Sequence, residues 1–358
     1  METTPIRRPE VRSTPPGVMA FRSALLTGQP SHFARFVFPV ILDTNVLLRD
    51  IRARLKYQKP TYLQQAAGFG TFRLFATEKV FEEVPTELPE FIRKYGFDVE
   101  MAQRMWINEY CPLIRFVETP DSHSDPRVAK VDATDPDDTP SAILTVMLSP
   151  SLLLSDDRRS LGKAELATIE WFSMAEHAAL RVTVGDTAFV SAEAFFEVSI
   201  ASAWGLGKGF VALWRTRPEI AIILSLLAVI VADRVQESER ARQILAQAGT
   251  KAGAMLSRVS SEIAASNLAI NALSHAMVRP GQGRPVLDLV THILAIEGPL
   301  SRTKIIESLR RRGVVVSRDF PLALDSLLRE CPVFVQGPSR RWEIGRNLQK
   351  SIQTLQAS

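Results

Sequence analysis

The sequence predicts an α/β fold in which a parallel sheet carries helices on both faces, and three observations point to it. Short apolar runs alternate with amphipathic stretches from about Phe36 to Val184. The runs are apolar almost throughout, as strands buried on both faces are. The segments between them are long enough for helices, which parallel strands need as crossovers.

The elements follow in order. "FVFPVILD" (36–43) reads as the first strand, "RLFATE" (73–78) as the second and "LIRFVE" (113–118) as the third. "SLLLSD" (151–156) reads as the fourth and "ALRVTV" (179–184) as the fifth. Helices are expected in "VFEEVPTELPEFIRKYG" and "TPSAILTVML". Pro85 and Pro89 weigh against the first, because proline lacks the helical N–H donor and crowds the preceding turn. Residues 1–35 read as an arm with one short helix, ahead of an α/β domain at 36–185.

Residues 186–278 change character. The run Ile220–Ala232 is apolar or small throughout. As a helix it would rise about 20 Å, short of a bilayer core of about 30 Å. Burial in the fold or in a partner subunit is expected, with membrane contact through 220–232 as the alternative. No proline interrupts Asp233–Met277, and Leu256, Val259, Ile263, Ile270 and Met277 fall near heptad spacing. That is a long helix, either a self-association element or a helix lying on the first domain. A homo-oligomer is the expectation.

"RPGQGRP" (279–285) is a linker signal. Beyond it, 285–347 reads as three amphipathic helices and a hairpin, followed by a tail at 348–358. Three helices closed by a hairpin resemble a winged helix. Arg302, Lys304, Arg318, Arg340 and Arg341 lie on its helices and wing, the footprint expected for nucleic-acid binding. Protein docking is the alternative.

Composition narrows the class. With 46% hydrophobic residues the 358-residue chain can bury large cores. A formal charge of +4 permits a nucleic-acid partner without demanding one. Cys111 and Cys331 are too few and too far apart for a disulfide framework or a zinc motif, which fits a reducing compartment. The first residues lack an apolar signal core, so a cytoplasmic location is expected.

The chemistry gathers at strand ends. Asp43 closes the first strand, where parallel sheets place their ligand sites, although aspartate there also serves as a helix N-cap. Glu83 follows the second strand, on the helix face shared with Val80 and Val84. Asp135 and Asp138 open an apolar helix, and Asp156 and Asp157 end the fourth strand. In a parallel sheet these positions share one edge. Like charges gathered there raise one another's pKa unless a cation joins them. Oxygen donors with no histidine cluster suit Mg²⁺ or Mn²⁺ rather than zinc.

"VILDTNVLL", "VFEEV", "DPDDTPSAIL" and "LLLSDDRRSLGK", in that order, are similar to the motifs of PIN-domain nucleases. The resemblance implies catalytic acids at Asp43, Glu83, Asp138 and Asp157, with Asp135 close by and Asp156 as the alternative to Asp157. It implies that Asp43, Asp135, Asp138 and Asp157 hold one or two Mg²⁺ or Mn²⁺ ions, which activate a water for attack on a phosphodiester. Thr44 would cap or orient, Asn45 and Ser155 would brace the acids or bind phosphate, and Arg158 could clamp a phosphate. The implied activity is that of a metal-dependent endonuclease, with RNA favoured over DNA. A DNA or flap nuclease in phage defence and a non-catalytic nucleic-acid-binding scaffold are the alternatives.

Overall fold

A computed structural model of the chain describes residues 37–168, 170–181, 265, 268–281, 285–337 and 339–346. All of them belong to one compact unit, Val37–Ser358. The expectations for the arm at 1–35, the apolar run 220–232, most of the helix at 233–277 and the tail at 348–358 lie outside the described residues. Among the described residues no helix is long and apolar enough to cross a membrane.

Five parallel strands form one sheet in the order β3-β2-β1-β4-β5. They are β1 (Phe38–Leu42), β2 (Phe72–Thr77), β3 (Ile114–Val117), β4 (Leu152–Leu154) and β5 (Ala167–Thr168). β1 is central and wholly buried, with Val40 between Leu74 of β2 and Leu152 of β4. The fifth strand is not where the sequence suggested: residues 171–181 are helical, and β5 lies earlier, at Ala167–Thr168. Trp171, Ala175, Ala178 and Ala179 are buried at helical spacing, while Val182–Val184 lie outside the described residues.

One face of the sheet carries α1 (Thr44–Tyr57), α2 (Tyr62–Gly68), α3 (Glu78–Lys94) and α4 (Val99–Met105). α3 runs unbroken through both prolines. Val80, Val84, Leu88 and Ile92 are buried one turn apart, while Pro85 is exposed and Pro89 half-buried. Burial of that stripe outweighs the two lost N–H donors. Residues 268–276, the end of the predicted long helix, insert Leu273 into the same core.

The other face is covered by α6 (Thr139–Leu148) and α7 (Val286–Glu297), with α5 (Pro126–Thr134) beside them. The segment read as a winged helix forms α7, α8 (Arg302–Arg311), α9 (Phe320–Glu330) and an antiparallel hairpin, β6 (Phe334–Gln336) and β7 (Trp342–Ile344). It shares its core with the sheet. Val290, Ile293, Leu294, Trp342 and Ile344 pack in one cluster with Ile41, Phe75, Val117 and Leu153.

Polar ties reinforce that junction. Arg73 donates to the Ala295 carbonyl (3.0 Å), Arg115 to Glu343 (2.9 Å) and His292 Nδ1 to the Leu148 carbonyl (2.7 Å). The Asp125 N–H donates to His123 Nδ1, which leaves Nε2 to donate to Asp288 at 3.2 Å. Gly345 (φ 59°) is required where the chain meets β3, since a Cβ there would lie 2.4 Å from the Phe116 carbonyl oxygen.

Asp50 on α1 is buried and accepts hydrogen bonds from Thr61 Oγ1 (2.6 Å) and Tyr110 Oη (2.7 Å). Burial lifts its pKa to about 6, against the lowering effect of both donors. Its folded pKa therefore lies above its unfolded one. The stability it contributes is complete below pH 3.8 and is lost as pH rises to about 6. Urea unfolding at pH 4.5 and pH 7 should give a smaller stability difference in Asp50→Asn than in the parent chain. An equal difference would show that Asp50 carries no such linkage.

Candidate active site

Asp43 leaves β1 in extended conformation and N-caps α1, its Oδ1 accepting the Thr44 N–H at 2.8 Å. Its Oδ2 accepts from Ser155 Oγ at 2.6 Å, and Ser155 Oγ in turn accepts the Asp157 N–H at 3.0 Å. The ends of β1 and β4 are thus joined through one buried serine. Asp43 is only 9% exposed. Burial raises its pKa most; Ser155 and Thr44 pull it down, and Glu83 and Asp157 push it up again.

Thr44 is an orienting hydroxyl, while Asp43 does the capping. Thr44 Oγ1 donates to Glu83 Oε2 at 2.6 Å, which draws α3 toward the end of β1. Glu82 is exposed and Glu83 partly buried, so the helical face selects Glu83. Lys79, one turn earlier, stands 3.7 Å from Glu83 Oε1 and 2.5 Å from Asp137 Oδ1. It was not singled out from the sequence, although its i,i+4 spacing to Glu83 was a usable signal.

Asp138 ends the 3-10 turn Pro136–Asp138 and stands before α6. Burial, then the charges of Asp43, Asp135 and Asp157, push its pKa to about 6, partly offset by Ser160. Asp135 opens the same turn and accepts the Asp137 N–H at 3.1 Å. Burial works to raise Asp157, but three backbone donors outweigh it and hold its pKa below the ordinary value. They are the N–H groups of Arg159 (2.9 Å), Ser160 (2.8 Å) and Leu161 (2.7 Å).

Asp156 takes another role, pairing with Arg49 of α1 at 2.6 Å. Ser160 is 3% exposed, and its hydroxyl faces Asp138 and pulls that carboxyl's pKa down as a hydrogen-bond donor. That hydroxyl, too, went unnoticed in the sequence, where a lone serine carries no signal. Asn45 and Arg158 are exposed, and neither hydrogen-bonds to the acids. Arg302, Lys304, Arg318, Arg340 and Arg341 are exposed on the α7–β7 segment, with Arg302 paired to Asp325 at 3.3 Å.

The donor set fits a hard divalent ion in kind. It is all oxygen, and its carboxylates repel one another. As they stand, the side chains do not enclose an ion: among the described residues no group of three His, Cys, Asp or Glu converges closely enough. Asp43 and Asp157 are instead turned onto protein donors.

Comparison of the chain with protein-family models, with curated proteins and with solved structures gives no match.

Proposed function

We propose that the chain is a divalent-metal-dependent, PIN-like endonuclease that hydrolyses phosphodiester bonds, RNA before DNA. The observation that carries the reading is the acidic edge of the sheet. Asp43, Asp138 and Asp157 act on one another's charge there, and Glu83 is drawn in through Thr44. A cluster of carboxylates that repel one another is the arrangement a bound cation relieves. Asp43, Asp138 and Asp157 would hold Mg²⁺ or Mn²⁺, with Asp135 beside them. The ion would supply an activated water and stabilise charge on the leaving oxygen. Glu83, steered by Thr44, lines the same edge, and Ser155 fixes the carboxylate of Asp43. The preference for RNA rests on the family resemblance. The α7–β7 segment is read as a winged-helix module, supported by the order helix, Leu300–Trp342 bridge, two helices and hairpin.

A second reading is a non-catalytic scaffold. The hydrogen bonds that already engage both oxygens of Asp43 and of Asp157 favour it.

Labelled single-stranded RNA, single-stranded DNA and duplex DNA, each with Mg²⁺, Mn²⁺ or EDTA, separate the two. The nuclease reading requires cutting that EDTA abolishes. Asp157→Ala should then lose far more activity than Asp156→Ala, because Asp156 is engaged by Arg49. No cutting of any substrate under either metal selects the scaffold. A dead Asp156→Ala beside an active Asp157→Ala moves the fourth acid by one residue.

A further inference from the structure

We propose that the solvent face of α1 is the track along which a single-stranded nucleic acid runs away from the acidic edge. The inference rests on the nuclease reading for what lies at the start of the track, and on α1 itself for the track.

α1 starts at the site, since its N-cap is Asp43. Asn45, Arg49, Arg52 and Lys56 follow at steps of four, three and four residues, which places them on one helical face. From Asn45 to Lys56 that face covers about 17 Å at the helical rise. The one acid within α1, Asp50, is 2% exposed and turned onto Thr61 and Tyr110, so the exposed face carries cations and no carboxylate. Arg49 reaches back to Asp156. Arg52 and Lys56 have no acidic partner among the described residues, and their charges rest on aromatic rings. The Arg52 guanidinium lies 4.3 Å from the Tyr95 ring centre, and Lys56 Nζ lies 5.1 Å from that of Tyr57. Both tyrosines are open to solvent, Tyr57 at 59% and Tyr95 at 44%.

Two physical arguments choose the occupant. An edge bearing four acids repels a polyanion, so a strand bound there needs cations close by to hold its phosphates. Lys79 is already engaged by Glu83 and Asp137, Arg158 and Arg159 stand exposed beside Asp157, and α1 carries cations onward from Asp43. Exposed tyrosines beside cations offer stacking platforms to unpaired bases, whose faces a duplex hides.

The test is anisotropy binding by the full chain in EDTA, which removes cleavage from the measurement. The probes are a labelled single-stranded RNA, a duplex of equal length and an acidic peptide, over a range of KCl. Replacing Arg49, Arg52 and Lys56 together by glutamine should make the log–log salt dependence for the single strand shallower by about 1.4, at roughly 0.7 for each of the two cations not paired with an acid. Tyr57→Leu should weaken the single strand about tenfold with no change of slope, since stacking releases no counterions. Thermal melting of each variant confirms that it is folded.

An unchanged slope in a folded triple variant overturns the track. So does a duplex bound as tightly as the single strand, or an acidic peptide that competes equally and ignores Tyr57→Leu, which would mark a protein-docking face. The two proposals fail separately. Parent protein that cuts but shows no slope change loses only the track. Parent protein that never cuts, yet shows the slope change, keeps the track and loses the nuclease.

Discussion

Asp43→Asn is expected to abolish cleavage while leaving a folded protein that is at least as heat-stable as the parent. Changing even the outer partners of a metal site costs about 10- to 100-fold. Loss of a carboxylate that would itself hold the ion should therefore cost more than about 100-fold. The stability side follows from the pKa shift. Burial holds the folded pKa of Asp43 above its unfolded value, with Glu83 and Asp157 adding to the rise. Its ionised form therefore costs stability once the pH exceeds the folded value. Asparagine removes that charge, keeps an oxygen for the Thr44 N–H and presents an amide to Ser155. The melting temperature should therefore equal or exceed that of the parent. Cleavage and differential scanning calorimetry on the same preparation read both effects. Full activity in the folded variant would remove Asp43 from the site, and a large drop in melting temperature would make it a structural cap instead.

Truncation before α7 is expected to destroy the fold, not merely trim a binding module. Removing residues 285–358 would strip Val290, Ile293, Leu294, Trp342 and Ile344 from the cluster they form with Ile41, Phe75, Val117 and Leu153. An apolar sheet face left open to water drives association. Far-UV circular dichroism and solubility of the truncated chain check this. The single change Trp342→Ala gives a graded version, since replacing a buried aromatic residue by alanine costs about 3–5 kcal/mol. A soluble truncated chain with native-like circular dichroism and a cooperative melt would show that the sheet stands without this cover.

Both expectations turn on tertiary facts that the sequence reading reached unevenly. The central strands were legible because continuous apolar runs bounded by polar residues need no partner to be recognised. β1, β3 and β4 lie within the runs at 36–43, 113–118 and 151–156, and β2 starts one residue before the run at 73–78. The two-residue β5 was not legible, for Ala167–Thr168 is too short to carry a period. Nor could the sequence show that α3 survives two prolines, because that depends on what Val80, Val84, Leu88 and Ile92 are buried against.

The acids divide in the same way. By itself, the sequence determined that carboxylates follow successive strands, and strand direction then places them on one edge. Only the tertiary structure decided which groups hold them. Ser155 bridges Asp43 to the chain at Asp157, Thr44 takes Glu83, and Arg49 takes Asp156 away. The amphipathic pattern of 286–297 likewise announced a face to be buried, while the structure decided that the sheet buries it. The physical reason is common to all of these. Periodicity and strand-end position are local properties of the chain. Hydrogen-bond partners and buried contacts join residues far apart in sequence, and they are selected only when the packed elements bring those residues together.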